Sequence, residues 1–391
     1  MSESGSPGRS SGRRAAVVTL RSVLAVVAVA VLAVVGVSWG FKHHAENELA
    51  ARQVDALVPD DPNIRPADGG PAAGNGAGGA AGAGSGAGAE NGTGTEPSAG
   101  RPAGGATLPP LNSAAGTAPE NILVLGVDTR GDATNGVGEG TSQSDVIMLV
   151  HLHAGHRKAS VLSIPRDTYV AAPQCHNWDN ATGKVSNQIF RSAATQWKIT
   201  NAYAVGGPRC SVQAVQALTG LRVDRLITFQ FDGFGAIVNS LGGLRMSFPG
   251  PVIDKNQGTV IAKAGVQQID GATALKLARS RIVQGDPTGD LGRVKRQQQL
   301  IAAMMRQLSS SGMLSDPARL NRTVDTFIQN STTANVSVDG LLDLARQLGG
   351  GASSVSFSTI PTTPSTSSDG LNAAPGAADM FAKLRNDQTL G

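Results

Sequence analysis

The sequence predicts an α/β fold in which helices cover both faces of a central sheet, preceded by a membrane-spanning helix and a linker. Three observations lead to this prediction. Short apolar runs alternate with amphipathic segments of helix length after residue 118, an uncharged apolar stretch lies near the amino terminus, and a Gly- and Ala-rich segment separates the two. The part after residue 118 holds about 270 residues, which is compatible with one large domain.

The apolar stretch Val23 to Phe41 contains no charged residue. At about 1.5 Å per helical residue, its length just spans a bilayer core. Arginines are concentrated before it, in residues 1–22, so the positive-inside rule places the amino terminus in the cytoplasm and the rest of the chain outside. A cleaved signal peptide is the alternative, although its apolar core is usually shorter. We predict a single-pass anchor in the cell membrane with an extracellular domain.

Residues 42–117 form the predicted linker. From Asp60 onward it is composed mainly of Gly, Ala, Pro, Ser and Asn, and it cannot bury enough apolar surface to offset the entropy of ordering. A collagen-like structure is excluded because Gly does not recur every third residue. We therefore expect a flexible extracellular tether between the membrane and a domain at 118–388.

Charge and cysteine content exclude some classes of function. The formal net charge is +4, which does not indicate general nucleic-acid binding. The two cysteines, Cys175 and Cys210, lie in the predicted extracellular part, where an even pair favours a disulfide over a metal site; two unpaired thiols are the alternative. The six histidines show no zinc-site spacing and are interpreted as surface or packing residues.

The periodicity of the domain predicts its elements. Strands are predicted near Asn121–Val127, Val146–His153, Ser160–Ile164 and Leu226–Phe231. Helices are predicted at Ser211–Thr219, Gly233–Leu241, Leu291–Leu308, Pro317–Ile328 and Val338–Leu348. Strands covered on both faces leave the polar residues at their ends facing a common cleft.

Two carboxylates are placed where strands meet loops. Asp128 follows the first apolar run directly, and Asp145 opens the next strand. Carboxylates on neighbouring strands can share a Mg²⁺ ion whose other ligands are water and phosphate oxygens. The alternative is that both residues cap turns in a solvated loop.

Arginines follow several elements and suit phosphate oxygens through their planar guanidinium groups. Arg166 follows a proline at a strand end. On one helix Arg279 and Arg281 would diverge by about 200°, so both reach one ligand only at a helix end or in an extended stretch.

Arg293, Arg296 and Gln297 lie at the beginning of a predicted helix, where a solvated basic face is the alternative. Lys198 precedes the helix breakers Gly206-Gly207-Pro208, and this region is either a lid or an ordinary helix end.

The order of these blocks resembles the LytR-CpsA-Psr family, which attaches cell-wall polymers to peptidoglycan. The resemblance covers roughly Asn121 to Asp387. It rests on the motifs Asn-Ile-Leu-Val-Leu-Gly-Val-Asp, Ser-Asp-x-x-Met-Leu-Val, Ser-Ile-Pro-Arg-Asp-Thr-Tyr-Val, Lys-Ile-x-x-Ala-Tyr-x-x-Gly-Gly, Phe-Asp-Gly-Phe, Ala-Leu-x-x-x-Arg-x-Arg and Gly-Asp-x-x-Arg-x-x-Arg-Gln-Gln. The resemblance implies a three-layer α/β/α domain with a mixed sheet, after a single-pass anchor.

The resemblance also implies the roles of the site residues. Asp128 and Asp145 would hold Mg²⁺, and the pyrophosphate of a polyprenyl-linked donor would be bound by Gln143, Arg166, Lys198, Arg279, Arg281, Arg293, Arg296 and Gln297. Asp145, Arg166 and Arg279 would be catalytic. Gln143 stands where the family usually has Arg, so one charge-assisted contact is lost.

The expected function is therefore a phosphotransferase. A peptidoglycan hydroxyl attacks a polyprenyl-pyrophosphate-linked glycopolymer, and polyprenyl phosphate is released. A polyprenyl-pyrophosphate hydrolase is one alternative. A non-catalytic protein that binds the lipid carrier or the wall is another, favoured by Gln143. A transcriptional regulator conflicts with the predicted topology.

Overall fold

The computed structural model describes residues 40–58, 61, 63–64, 118–129, 142–179, 182–190, 195–310, 316–341, 355–366 and 368–390. These residues form two compact units. The first takes its described residues from 40–55, 125–128 and 227–341, and the second takes them from 56–124, 129–226 and 355–390.

A six-stranded mixed sheet has the order β13-β8-β1-β2-β3-β14. Its strands are β1 Glu120–Thr129, β2 Ser142–Leu152, β3 Ala159–Ser163, β8 Arg225–Gln230, β13 Ser331–Ala334 and β14 Val355–Thr359. Strand β3 pairs antiparallel with β2 and parallel with β14. All five residues of β3 are buried, as expected for a strand covered on both faces. The predicted mixed sheet is confirmed, and four of its strands were predicted from the sequence.

Shorter strands form two-stranded sheets in each unit. In the second unit these strands are β4 Tyr169–Ala171, β5 Cys175–Asp179, β6 Lys184–Phe190, β7 Gln196–Lys198, β15 Thr362–Pro364 and β16 Leu371–Ala373. In the first unit they are β9 Leu244–Phe248, β10 Val252–Asp254, β11 Gly258–Ile261 and β12 Gly265–Ile269.

Eight helical segments are present among the described residues. They are α1 (40–51), α2 Asn201–Thr219, α3 Phe231–Ser240, α4 Gly271–Arg279, α5 Asp290–Ser310, α6 Pro317–Gln329, a turn α7 (338–341) and α8 Pro375–Arg385. Asp270 caps α4 by accepting from the Thr273 N–H, and Asp316 caps α6. In the first unit, α3, α4 and α5 bury a shared apolar core that includes Val238, Leu277 and Leu300.

Helix α2 begins ten residues before the predicted start at Ser211. Gly206 and Gly207 have non-helical backbone angles, and Pro208 lies inside the helix, so the chain bends there. Gly207 has φ +59°, and a Cβ atom at this position would lie 2.3 Å from the Trp178 ring. Two helical stretches therefore flank a kink at these glycines. Because a kink and a helix end both contain helix-breaking residues, the sequence pattern was compatible with a helix end.

The predicted disulfide is confirmed. Cys175 of β5 and Cys210 of α2 are bonded, with their Cα atoms 5.5 Å apart and a sequence separation of 35. In the chain-entropy model, closing a loop of this length stabilises the fold by about 3 to 4 kcal/mol. The bond joins the β5–β6 hairpin to the part of α2 after the kink.

The amino-terminal predictions fall largely outside the described residues. All but the last two residues of the predicted span Val23 to Phe41 lie there, as do residues 65–117. Where the chain is described, no helix is long and apolar enough to cross a membrane. The start of the predicted linker is corrected, because α1 is folded: its Ala45 and Leu49 are buried, and Glu46 accepts a hydrogen bond from the Val338 N–H.

Candidate active site

In the first unit, Arg279, which was predicted to be catalytic, contacts Asp128, which was predicted to hold Mg²⁺. Asp128 lies near the end of β1, and the Arg279 Nη2 donates to its Oδ1 at 2.9 Å. The guanidinium carbon of Arg279 lies 5.2 Å from the centroid of the Phe231 ring, and Asp232 Oδ1 is 3.8 Å from Nη2. A carboxylate and an aromatic ring thus orient Arg279, which is one-third exposed.

Arg279 is the last residue of α4, and Ser280 after it has extended backbone angles. Arg279 and Arg281 therefore meet the condition under which both can reach one ligand, since they lie at a helix end and in the stretch after it. The N–H groups of Arg281 and Ile282 both donate to Asp254 Oδ2 at 2.8 Å. Asp254 fixes the backbone of this segment, and the Arg281 side chain is partly exposed.

The beginning of α5 carries Arg293 and Arg296, which the sequence left open as a solvated basic face. That alternative is wrong, because Arg293 is 1% exposed and pairs with Asp290, with Nη2 2.9 Å from Oδ1. Arg296 donates to Asp286 Oδ2 at 2.7 Å and to the Ser280 carbonyl at 2.9 Å. The Arg293 guanidinium is thus held by the first residue of α5. The Arg296 guanidinium is held by two groups of the segment between α4 and α5.

Gln297 is also buried, and its amide donates to the Ala278 carbonyl at 3.2 Å. Gly292 allows this packing, since a Cβ atom there would lie 2.2 Å from Asp286 Oδ2. We refer to Arg279, Arg281, Arg293, Arg296 and Gln297 as the arginine set.

The arginine set retains buried donor capacity. The Nε atoms of Arg279 and Arg296 are buried and have no hydrogen-bond acceptor among the described residues. A buried donor without a partner costs about 1 to 3 kcal/mol. An anion with several oxygens would satisfy such donors, so the chemistry of the set fits a phosphate ligand.

In the second unit, the other predicted metal ligand also contacts an arginine. Asp145 lies inside β2, which begins at Ser142, so the prediction that Asp145 opens the strand is corrected. Its Oδ1 accepts from Arg166 Nη1, and the Asp145 side chain is 3% exposed. Asp145 is a buried, charge-paired carboxylate, and the turn-cap alternative is wrong for it.

The contacts of Arg166 continue as a row of alternating charges. Arg166 Nε lies 3.6 Å from Asp167 Oδ2, and Lys198 Nζ lies 3.4 Å from Asp167 Oδ1 and 3.0 Å from Asp369 Oδ2. Partial burial opposes the ammonium form, but Asp369 and Asp167 outweigh it and raise the pKa of Lys198. We refer to Asp145, Arg166, Asp167, Lys198 and Asp369 as the charge chain.

Gln143 lies two residues before Asp145 in β2 and is 8% exposed. Lys198 belongs to β7, which pairs with β4. Residues 130–141, before β2, lie outside the described residues.

Beyond Asp128 and Asp145, sequence reasoning missed the acidic partners of the cations. Asp286 precedes α5, Asp290 is its first residue, and Asp167 and Asp369 belong to the charge chain. Hydrogen bonds from Thr288 and Arg296 lower the pKa of Asp286 to about 2. The signal for Asp167 and Asp290 was their closeness in sequence to Arg166 and Arg293, whereas nothing in the local sequence indicated Asp369.

A second polar cluster lies in the second unit and contains histidines, for which the sequence left surface and packing positions open. His151, His153 and His156 are buried, and the rings of the first two contact Asp387 after α8. Burial would raise the pKa of Asp387, but hydrogen bonds from the Ala154 N–H and both imidazoles outweigh it and hold that pKa below its ordinary value. We refer to His151, His153 and Asp387 as the histidine cluster.

The family model of the LytR_cpsA_psr family matches residues 96–389. A probable cell wall biosynthesis protein, LcpB of Corynebacterium glutamicum, is 30% identical over 289 residues, which are 71% of this chain and 63% of that protein. The polyisoprenyl-teichoic acid–peptidoglycan teichoic acid transferase TagV of Bacillus subtilis is 28% identical over 63% of this chain and 57% of its own length. The matched region thus spans less than two thirds of either relative.

Two solved structures share the fold. The LytR-Csp2A-Psr enzyme from Actinomyces oris has a TM-score of 0.51 and 22% identity, and the match covers 68% of this chain and 93% of that one. The B. subtilis TagV structure has a TM-score of 0.53 and 22% identity, and the match covers 70% and 99%. At this identity the likeness shows the α/β fold alone.

Proposed function

Because the chain belongs to the LytR_cpsA_psr family, we propose that it is a phosphotransferase that links a polyprenyl-pyrophosphate-borne glycopolymer to peptidoglycan. The single observation that carries this proposal is the arginine set, with two buried guanidinium Nε donors that a phosphate would satisfy. The name of the relative TagV describes a transfer of teichoic acid to peptidoglycan, which is the same class of reaction.

The proposed reaction transfers the glycan-bearing phosphoryl group. The acceptor hydroxyl oxygen bonds to the phosphorus that carries the glycan, and the bond from this phosphorus to the bridging oxygen breaks. Polyprenyl phosphate leaves with the bridging oxygen, and the hydroxyl proton passes to a carboxylate, for which we propose Asp145. The protein forms no covalent bond to the donor in this reaction, so its contribution to the rate comes mainly from positioning the reactants and stabilising charge.

The arginine set supplies the charge stabilisation in this proposal. Negative charge spreads over the phosphate oxygens during transfer, and preorganised cations stabilise it without reorganising. Arg279 is held by Asp128 and Phe231, and Arg296 is held by Asp286 and the Ser280 carbonyl. Such fixed side chains meet the requirement for preorganisation.

Asp128 and Asp145 fit the proposed Mg²⁺ by chemistry. Both carboxylates already contact a cationic guanidinium, and carboxylate oxygens are the protein ligands that this ion prefers. When bound, Mg²⁺ would neutralise phosphate charge and help to orient the donor. In this proposal Arg166, Lys198 and Gln143 contribute donors toward the same pyrophosphate.

We further propose that the chain is a single-pass membrane protein with its domain outside the cell. The disulfide supports an oxidising compartment, where such bonds persist. The donor is lipid-linked and the acceptor is in the wall, so a membrane anchor followed by a tether would give the domain access to both.

The test is a product analysis with the purified chain in detergent, a polyprenyl-pyrophosphate glycan, Mg²⁺ and peptidoglycan oligomers. We expect glycan joined to peptidoglycan through a phosphodiester, lost in Arg279→Ala and Asp145→Ala but retained in the exposed control Arg157→Ala. Release of glycan phosphate with no transfer in the presence of acceptor would show a hydrolase instead. Donor binding with no turnover would show a carrier-binding protein.

A further inference from the structure

The histidine cluster takes no part in the proposed transfer, and all its members belong to the second unit. His151 lies in β2 and His153 follows directly after that strand, whereas Asp387 follows α8. The three side chains bring one ligand atom each within 4.8 Å of one another. Both imidazoles are almost fully buried, and the Asp387 side chain is 29% exposed.

The two imidazoles converge on one carboxylate oxygen. The His151 Nε2 lies 3.0 Å from Asp387 Oδ1, and the His153 Nδ1 lies 2.8 Å from the same atom. A tetrahedral metal with bonds of about 2.0 to 2.1 Å keeps its ligand atoms roughly 3.3 Å apart. Each imidazole nitrogen would therefore need to move from the Asp387 oxygen by only a few tenths of an ångström, and the two nitrogens, which lie within 4.8 Å of one another, would need to reach the same separation from each other.

The proton on His151 can be placed from its neighbour. The Asn121 amide nitrogen donates to the Arg222 carbonyl at 2.8 Å, so the Asn121 Oδ1 faces the His151 Nδ1 at 2.8 Å. Because this oxygen can only accept, Nδ1 carries the proton. The other ring nitrogen, Nε2, faces the acidic oxygen of Asp387, where a divalent cation would replace a proton shared by the two groups.

His153 is anchored in a similar way. Its Nε2 lies 2.8 Å from the Ser160 hydroxyl, which can accept a proton from that nitrogen. The Ser160 oxygen also accepts from the Ser356 hydroxyl at 3.2 Å. The other ring nitrogen, Nδ1, faces Asp387 Oδ1. Metal-binding imidazoles are held through their second nitrogen in this manner.

From this geometry we propose that His151, His153 and Asp387 bind a divalent metal ion of the zinc class. Two neutral imidazoles and one carboxylate form a ligand set typical of zinc, with the fourth position left for water. The partly exposed Asp387 gives solvent access to that position. The site is distinct from the proposed Mg²⁺ ligands Asp128 and Asp145, and it would join the segment after α8 to β2.

The test is a titration with zinc chloride. The full chain is first stripped of metal with a chelator, and the titration is carried out in excess Mg²⁺. Calorimetry and elemental analysis are expected to give one zinc ion per chain and a higher Tm. His153→Gln and Asp387→Asn are expected to abolish this binding. Asn121→Ala, which removes the anchor of His151 but none of the three ligands, is expected to weaken it by about 10- to 100-fold.

The matched control is His176→Gln, because His176 is exposed and its ring lies 3.2 Å from the Ser186 carbonyl, in the β5–β6 hairpin and not in the histidine cluster. We expect this variant to bind zinc as the parent does. Zinc that does not stay bound at one ion per chain, or that binds equally to Asp387→Asn, would overturn the proposal.

A readout on the parent chain keeps the test valid if these variants fail to fold. Cobalt(II) in place of zinc is expected to show the strong visible absorption of a tetrahedral site. Weak absorption typical of six-coordinate cobalt would contradict the proposed ligand set. So would an NMR spectrum in which His151 stays doubly protonated at saturating zinc.

Discussion

The arginine set of the first unit and the charge chain of the second unit use the same residue types with different organisation. In the arginine set, the guanidinium of Arg296 is held by a carboxylate and by a backbone carbonyl. In the charge chain, cations and carboxylates alternate from the buried Asp145 to Asp369, which is 85% exposed. The first arrangement fixes donors in place, whereas the second links a buried carboxylate to solvent.

The balance of charge differs as well. The charge chain has two cations, Arg166 and Lys198, and three carboxylates, so it carries an excess of negative charge that suits a bound cation. The arginine set keeps buried Nε donors that suit an anion. By charge, the arginine set therefore suits an anion, whereas the charge chain suits a cation.

The largest effect is expected at Arg279. Arg279→Ala removes a preorganised cation and leaves Asp128 without its guanidinium partner, so we expect the transfer rate to fall by about 10²- to 10³-fold. Arg279→Lys keeps the charge but loses the planar fork and should recover only part of the rate. Steady-state transfer of labelled glycan to peptidoglycan measures both. A rate within twofold of the parent in Arg279→Ala would contradict the role proposed for the arginine set.

The next largest effect is expected at Gly292, which tests the rigidity of the arginine set. In Gly292→Ala the new Cβ atom would lie 2.2 Å from Asp286 Oδ2 and 2.7 Å from the Thr288 hydroxyl. We expect the free energy of unfolding to fall by about 1 to 3 kcal/mol and transfer to slow. Urea denaturation monitors the stability. Gly250→Ala is the matched control, because a Cβ atom there meets nothing within 4 Å.

A smaller effect is expected at the solvent end of the charge chain. Lys198 is partly exposed and pairs with the exposed Asp369, so its charge is largely screened by water. We expect Lys198→Ala to cost at most about 1 kcal/mol, or roughly a fivefold loss in kcat/KM. The same transfer assay measures it beside Arg279→Ala. A loss as large as that of Arg279→Ala would show that both sets grip the donor equally.

The smallest effect is expected from the acid titration of Asp286. Its pKa is about 2 in the folded protein, below the ordinary 3.8, so its contribution to stability is complete above about pH 4. The contribution is lost as the pH falls toward the folded value. We expect the difference in unfolding free energy between the parent and Asp286→Asn to shrink between about pH 4 and pH 2. A difference that stays constant over this range would contradict the role given to the Arg296 pair.

Much of the fold was predictable because the strands of the main sheet are apolar runs with clear ends. Only the part of helix α2 from Ser211 onward was predicted, because Gly206 and Gly207 indicate a break. In the structure the helix continues through these glycines with a kink. The cations Arg279 and Arg296 were predicted from motifs.

The acidic partners and the histidine cluster were harder to predict, because they depend on long-range contacts. Asp387 is 234 positions from His153 in the sequence, so no local pattern links them. Asp369 and Lys198 are likewise brought together only by the fold. Local sequence thus indicates which residues carry chemistry more readily than which residues restrain them.

The pairing of β3 with β14 has a consequence for biogenesis. In the second unit Ala159 pairs with Val355, so β3 has no neighbour on that side until almost two hundred further residues have been made. At about 5 to 20 residues per second, this edge waits roughly 10 to 40 s during translation. An unpaired edge strand invites association with other chains. The nascent chain therefore depends on being kept unfolded, or on being shielded, until its carboxy-terminal tenth emerges.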